Sequence, residues 1–566
     1  AIEAGVLTAL HEHSEPMAAV LPVLMDPAQG LSLLALSTQD DLATLQLFSP
    51  GPGRAAFTAI APSGRSDQAA GIRSNSAGIG TGLVVRAGQQ WVITDRYDRT
   101  SSPGQSVQPV VIGLGDQRRA DFIQLYWTDG VLQTEMELAA GQVHRIAENQ
   151  RQLASCPVLF AFNGQQFEFV SDVLGVGGIG FLTAPGQFAQ PRPWEYFQFP
   201  AGTMLPRDGR YALKIAEPMQ EIAYIDHTRL HLYDLAPGWS MTLDERMFTG
   251  GGPEPTGRAL FFPSDAMLMP AQVTNDRDED VTESLLKVDQ YAAPVGTVDP
   301  RFLGLLAQQH ELTLSFDQVI NPPGTRPVLV GNGWVEYPYS QTVFAAWQAD
   351  RSYQAPSLEA YAGGQWHTVY EQFGYPAGMP REMALPLDAL PPQTTALRLR
   401  SNLQIYWDRL LVVHEQAPPV EAVRHRAVTP SLARLAKTGF ARRDTLSQRR
   451  PFYDYQDRTP FWDTEYQTGY YTAYGPVEHL VGAFNNAFTL IGPGEELHLE
   501  FDATEPAIPD GRRVVVLEVR GYAKDKDLYT HTGDTVEPMP FTEGVGTRAQ
   551  RDQLHRAYHT RFQGGP

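Results

Sequence analysis

The sequence predicts an all-β, multidomain chain, and three observations carry that prediction. With 44 prolines and 50 glycines in 566 residues, long helical periodicities are scarce and turn signals frequent. Apolar runs are short and alternate at the two-residue period of strands, as in Phe167-Glu-Phe-Val170 and Leu312-Thr-Leu-Ser-Phe316. The length also exceeds what one hydrophobic core serves, so several domains are expected.

Composition narrows the function classes. Apolar residues make up 42% of the chain, enough for packed domains. The formal charge of −20, from 64 acidic against 44 basic residues, argues against nucleic acid or an anionic membrane surface as partner, because both select a concentrated cationic face. Cations are the better-matched small partners. Cys156 is the single cysteine, so an intrachain disulfide framework and a Cys-based zinc site are both excluded. No run approaches the ~18 apolar residues of a membrane span. The chain opens at Ala1 without an apolar leader, which reads as a mature form or a fragment. The expected location is extracellular, periplasmic or at the cell surface.

Residues 1–60 hold three strand-like pieces separated by turns, Met17-Ala-Ala-Val-Leu-Pro-Val-Leu-Met25, Leu31-Ser-Leu-Leu-Ala-Leu36 and Leu42-Ala-Thr-Leu-Gln-Leu-Phe48. Their spacing suits one four-stranded propeller blade. It resembles the last, degenerate blade of an FG-GAP propeller, whose calcium loop would fall on Asp26-Pro-Ala-Gln-Gly30. The further carboxylates of such a loop are missing there, so no calcium site is expected on it.

Residues 61–150 carry Arg73-Ser-Asn-Ser-Ala-Gly-Ile-Gly80, Leu83-Val-Val-Arg-Ala-Gly88, Val111-Ile-Gly-Leu-Gly-Asp116, Ile123-Gln-Leu-Tyr-Trp-Thr-Asp-Gly130 and Gly141-Gln-Val-His-Arg-Ile146. These segments resemble the ASPIC/UnbV domain, which follows FG-GAP repeats in the cartilage acidic protein family and in bacterial relatives, some encoded beside enediyne biosynthesis genes. Local chemistry agrees, since Trp127-Thr-Asp129-Gly130 is a hairpin turn signal between alternating strands. No residue of this region forms a catalytic constellation. The remainder of the chain resembles the longer bacterial members of the family.

The next module spans 151–311. Gly175-Val-Gly177-Gly178-Ile-Gly180 matches the dinucleotide pattern G-x-G-x-x-G, yet Pro185, Pro191 and Pro193 follow where a phosphate-binding helix would have to run. A glycine-rich connection packed against other backbone is expected instead. Cys156 reads as a small buried thiol opening a strand. In Tyr224-Ile-Asp-His-Thr-Arg-Leu-His231, strand alternation puts His227, Arg229 and His231 on one face. The two imidazoles are then roughly 13 Å apart, too far to share a metal, and a solvated face is expected. Asp276, Asp278, Asp280 and Glu283 form the densest acidic run. Oxygens at alternating positions followed by a glutamate make them the candidate calcium ligands, although the sixth-position glycine is missing and a solvated acidic loop is the alternative.

Residues 312–415 read as a jelly-roll-like β-sandwich resembling the galactose-binding type. Trp334, Trp366 and Trp407 with Asp408 are its candidate ligand-binding residues, because aromatic faces and a carboxylate suit a sugar, with Trp347 a further aromatic; core packing is the competing reading. Residues 416–450 read as a Pro- and Arg-bearing linker with a short helix at Pro430–Lys437, and 451–566 as a C-terminal β-rich module. Nucleophile elbow, P-loop and metalloprotease motifs are missing, and Asp408, Asp463 and Glu465 offer only a generic carboxylate pairing. No catalytic residue and no cofactor other than calcium is therefore assigned. The expected function is a secreted or envelope-associated, non-catalytic binding or scaffold protein with a protein partner or self-assembly. The alternatives are a carbohydrate-binding or carbohydrate-active protein and an accessory to natural-product assembly.

Overall fold

The computed structural model describes residues 2–3, 6–7, 17–39, 42–51, 55–64, 74–97, 107–128, 130–148, 156–459 and 465–564. Arg73, Asp129 and Asp463 of the sequence reading lie outside them. The chain forms two compact units, 1–151 and 152–566, and strands dominate both, as the proline and glycine density predicts.

In the first unit, strands Met17–Asp26, Gly30–Gln39 and Leu42–Phe48 make an antiparallel meander. Leu42, Leu45 and Leu47 of its last strand are exposed. A sandwich follows. One sheet holds Leu132–Ala139, Arg119–Tyr126, Gly82–Ala87 and Gln90–Asp95, and the other holds Val143–Ala147, Ala56–Ser63 and Val110–Gly115. Ile60, Leu83, Val85, Ile112, Ile123 and Leu125 close the core between them. Strand Ala56–Ser63 pairs in parallel with Val143–Ala147, so a boundary at 60/61 would cut a strand, and this sandwich starts earlier than the sequence suggested.

The second unit contains two further sandwiches, one inserted in the other. In the host, a six-stranded sheet runs Phe167–Asp172, Val158–Phe162, Arg210–Ala216, Glu495–Asp502, Leu432–Lys437 and Gly475–Pro476. A five-stranded sheet faces it, in the order Trp194–Gln198, Arg512–Asp525, Glu221–Leu235 and Val423–Val428, with Thr489–Ile491 also paired to Glu221–Leu235. Leu213, Ile215, Ile225, Leu230, Leu497 and Leu517 lie in the core they share. The strands up to Leu235 in the expected 151–311 module and those in the expected 451–566 module therefore belong to one sandwich. The expected linker supplies strands to both of its sheets. Leu432–Lys437 is a strand, not a helix: its Ala, Leu, Arg and Lys favour helix intrinsically, but pairing with Glu495–Asp502 and burial of Ala433 and Leu435 win.

The inserted sandwich stacks Gln272–Asn275, Leu305–Ser315, Ala396–Leu403, Ser357–Ala362 and Gln365–Tyr370 against Arg381–Pro386, Pro327–Val335 and Ile405–His414. Leu305–Ser315 crosses the boundary expected at 311/312. The hairpin of Trp239–Leu243 and Ala259–Pro263 wedges between host and insert. Met241 and Leu243 pack on Val514 and Val516 of the host, while Leu260 and Phe262 pack on Val328 and Val330 of the insert.

Gly175–Gly177 forms a single 3-10 turn and no α-helix. A Cβ on Gly177 would meet Gly521 O at 2.8 Å, and one on Gly180 would meet His531 O at 2.6 Å. These glycines permit backbone-to-backbone approach, as the sequence reading expected. Cys156 is buried, and burial pushes its thiol up, assisted by the charges of Glu221 and Asp172.

Candidate ligand-binding cleft

A cleft of about 720 Å³ opens along the seam of host, hairpin and insert. Strand Pro327–Val335 builds one wall. Its odd residues Leu329 and Val335 enter the insert's core, so Val330, Asn332 and Trp334 face the cleft. A bulge then shapes the neighbouring strand. Asn332 pairs with Arg409 and Gly333 with Trp407, leaving Asp408 as the extra residue. This irregularity puts both Asp408 and Arg409 on the cleft while Trp407 turns into the core. Arg512, Arg513 and Gln198 come from the host, and Ser240 from the hairpin.

The cleft's carboxylates are already engaged. Asp408 accepts from the backbone amides of Gln290 at 3.0 Å, Tyr291 at 3.1 Å and Asp289 at 3.4 Å. Burial pushes its carboxyl up, and those amides oppose the shift. Glu382 takes Thr242 Oγ1 at 2.7 Å and Arg409 Nη2 at 3.2 Å. Asp289 meets Lys287 Nζ at 3.2 Å.

Behind the wall lies a closed ionic network. Arg381 Nη2 donates to Asp172 Oδ1 at 2.9 Å, and Nη1 donates to Glu195, tying an insert strand to two strands of the host. Arg192 bonds Glu245, and Arg246 bonds Asp244 at 2.7 Å. Burial drives the Asp172 carboxyl up to about 6 and that of Glu245 to about 7, against the pull of Arg381 and Arg192 respectively.

Several donors and acceptors at the cleft are left over. Arg512 is exposed, and among the described residues its side chain makes one hydrogen bond, to Ser240 Oγ at 3.2 Å. Arg381 Nε and Gln198 Oε1 are buried with no hydrogen-bond partner among the described residues, and both residues line the cleft.

Of the sequence-predicted ligand residues, Trp334 and Asp408 reach this cleft, whereas Trp407 and Trp366 do not. The tryptophans do not form a sugar platform. Trp334 is 1% exposed, stacks on Tyr406 at 5.5 Å and donates from Nε1 to Gln448 O at 2.9 Å. Trp407 is core, and Arg398 lies 3.7 Å from the Trp366 ring. Glu465 pairs with Lys526 at 2.8 Å. Sequence reasoning missed Arg381, Arg409, Arg512 and Gln198; only Arg409, directly after Trp407-Asp408, had a local signal.

The candidate calcium run is a hydrogen-bonded loop. Asp276 bonds His310. Asp280 Oδ1 accepts from the Thr282 amide at 3.0 Å and hydroxyl at 2.6 Å. Asp278 adopts φ 58°, and Glu283 lies in a separate 3-10 turn, Thr282–Leu285. The four carboxylates are not gathered, and among the described residues no group of three or more His, Cys, Asp or Glu is placed to hold a metal ion.

Two nested sandwiches with a polar cleft at their seam, joined to a separate N-terminal β unit, define a multidomain all-β protein. Residues 71–153 match the family described as ASPIC and UnbV, so the chain carries an ASPIC and UnbV segment. The match ends before the first residue of the cleft. No curated protein and no solved structure matches the chain. No helix among the described residues is long and apolar enough to cross a membrane.

Proposed function

We propose that this chain is a non-catalytic binding protein of the envelope or extracellular space that takes a polar ligand, a glycan by chemistry, into the seam cleft. The observation that carries this reading is the mismatch between engaged acids and spare donors. Asp408, Glu382 and Asp289 are held by amides or cations, which supports binding over acid–base chemistry. Arg512, Arg381 Nε and Gln198 Oε1 retain capacity. Buried polar atoms left unpaired are costly, and a ligand rich in hydroxyl or carboxylate oxygens would satisfy them. A role in protein association is supported separately by the exposed leucines 42, 45 and 47.

The test is a glycan array followed by calorimetry on the strongest hit. Arg512→Ala is expected to weaken that hit at least about fivefold, the loss of one charge-assisted hydrogen bond. Silence across neutral and acidic oligosaccharides, with unchanged thermal stability in their presence, would sink the reading.

A further inference from the structure

The outer face of the five-stranded sheet carries a second assembly, away from the cleft, in which three strands meet. His231 and Tyr233 lie on Glu221–Leu235, Glu518 on Arg512–Asp525 and His425 on Val423–Val428. His231 Nε2 is 2.9 Å from Glu518 Oε2, and His231 Nδ1 is 2.9 Å from His425 Nε2. Tyr233, directly across the strand pair from His425, stacks on it at 4.4 Å. The face is thus not the solvated one its alternation suggested.

Val423–Val428 is the strand by which the chain returns from the inserted sandwich, and it lies at the edge of its sheet. Its end residues Val423 and Val428 pack against apolar neighbours, whereas Arg424, His425, Arg426 and Ala427 between them are exposed. Beyond the backbone ladder, His425 ties the middle of this strand to the sheet through His231 and Tyr233.

A hydrogen bond between two ring nitrogens needs one of them bare, so at most one of these imidazoles is cationic while the bond stands. A second proton turns both facing nitrogens into donors, and the bond is lost whichever ring was charged first. The surroundings favour one charge on the pair and oppose two. Burial raises the Glu518 carboxyl, but hydrogen bonds from His231 and Arg520 outweigh this and hold it at about 2, so an anion stands beside His231. Arg520 bonds that anion at 2.7 Å and Arg229 lies 3.9 Å from it. The remaining groups at the pair are His227 on the long strand, Tyr196 on the edge strand Trp194–Gln198, and Arg424 and Arg426 flanking His425. The hairpin strand Ala259–Pro263 contributes the uncharged Phe261, packed on Tyr233. Burial, and then the charge of His231, make His425 harder to protonate than a free imidazole.

We propose that His231 and His425 form an acid-sensitive latch on the return strand, closed near neutral pH and open once both rings are protonated, so that acid loosens one of the two backbone crossings between host and insert. His425 binds its proton more weakly in the fold than the value of about 6.5 for a free imidazole. The contribution of the latch is therefore complete above about pH 6.5 and is lost as the pH falls through the lowered folded value. Asp172 and Glu245, whose carboxyls are raised, act in the opposite sense at the seam. Global melting would mix the two effects, and the measurement that separates them is local.

Hydrogen exchange of the full chain is followed by mass spectrometry at about pH 7.5 and about pH 5, either side of the imidazole range, with rates expressed as protection factors. Peptides covering Val423–Val428 should lose protection about fivefold at the lower pH, the loss of one hydrogen bond, while those covering Arg210–Ala216 in the facing sheet hold theirs. His425→Phe keeps a ring on Tyr233 but has no proton to gain, and should show the lowered protection at both pH values. Nitrogen-15 ring spectra of the wild type should place the second protonation of the pair below about pH 6.5. Equal wild-type protection at the two pH values, a pH-dependent loss that persists in His425→Phe, or two cationic rings at neutral pH overturns the proposal. Glycan binding in the cleft is untouched by any of these results.

Discussion

Two ionic clusters of the second unit use the same residue types to opposite ends. Around Arg381, two carboxylates and a guanidinium are sealed at the seam, with side chains at most 3% exposed. Around Glu518, the carboxylate is equally buried at 4%, but the chain of hydrogen bonds runs outward through His231 to an exposed His425. The first network ties elements together, with the Arg381 guanidinium set between two carboxylates of the host. The second leads outward to an imidazole at the surface. Burial of the acid is common to both; the difference lies in where the last partner points.

The largest test of this contrast is Arg381→Met. It leaves Asp172 and Glu195 buried without their cation, and a loss of about 3–5 kcal/mol in denaturant stability is expected; a variant within a few tenths of wild type would show that the seam does not depend on the network. Next comes Asp172→Asn, read as a difference so that other titrations cancel. The Asp172 carboxyl sits at about 6 in the fold against about 3.9 unfolded, so the folded state binds the proton more tightly. Its stabilising contribution is complete below about pH 4 and is lost as the pH rises through 6. Wild-type stability minus that of the variant should therefore fall by on the order of 2–3 kcal/mol between pH 4 and pH 8. A flat difference would mean that Arg381 keeps the acid ionised throughout.

Smaller effects sharpen the other side. Glu518→Gln is expected to cost only about 1 kcal/mol in urea unfolding, since its cationic neighbours Arg229 and Arg520 can turn to solvent. A loss as large as that from Arg381→Met would place Glu518 and its partners among the structural ties. Smallest of all is calcium. With Asp276 and Asp280 already bonded to His310 and Thr282, calorimetric titration should give no saturable heat, and a stoichiometric isotherm abolished by Asp280→Asn would contradict this geometry.

Much of the fold was legible and its wiring was not. Strand alternation, turn glycines and the motifs of residues 73–146 announce β structure and the family, because these signals are local. The pairing of Arg210–Ala216 with Glu495–Asp502 is invisible in a single sequence, as nothing in either strand specifies so distant a partner. Leu432–Lys437 misleads for a different reason: its residues prefer helix, and only the sheet around it overrules them. Within the cleft, Asp408 was legible by type and Arg381 was not, since a guanidinium among apolar strand residues acquires meaning only once Asp172 and Glu195 surround it. His231 was visible, but His425 and Glu518 arrive from strands far along the chain.

The long strand ending at Leu235 lies beside the one beginning at Val423, and those two residues are themselves a paired register position. Everything between them leaves and re-enters the host at a single doorway. The inserted sandwich is thus a guest that enters through one point of the backbone, is tied by Arg381 and shares a core with the host. A different guest would have to fit that doorway and also cover Val158, Phe160 and Tyr453, which the present one buries in its own core.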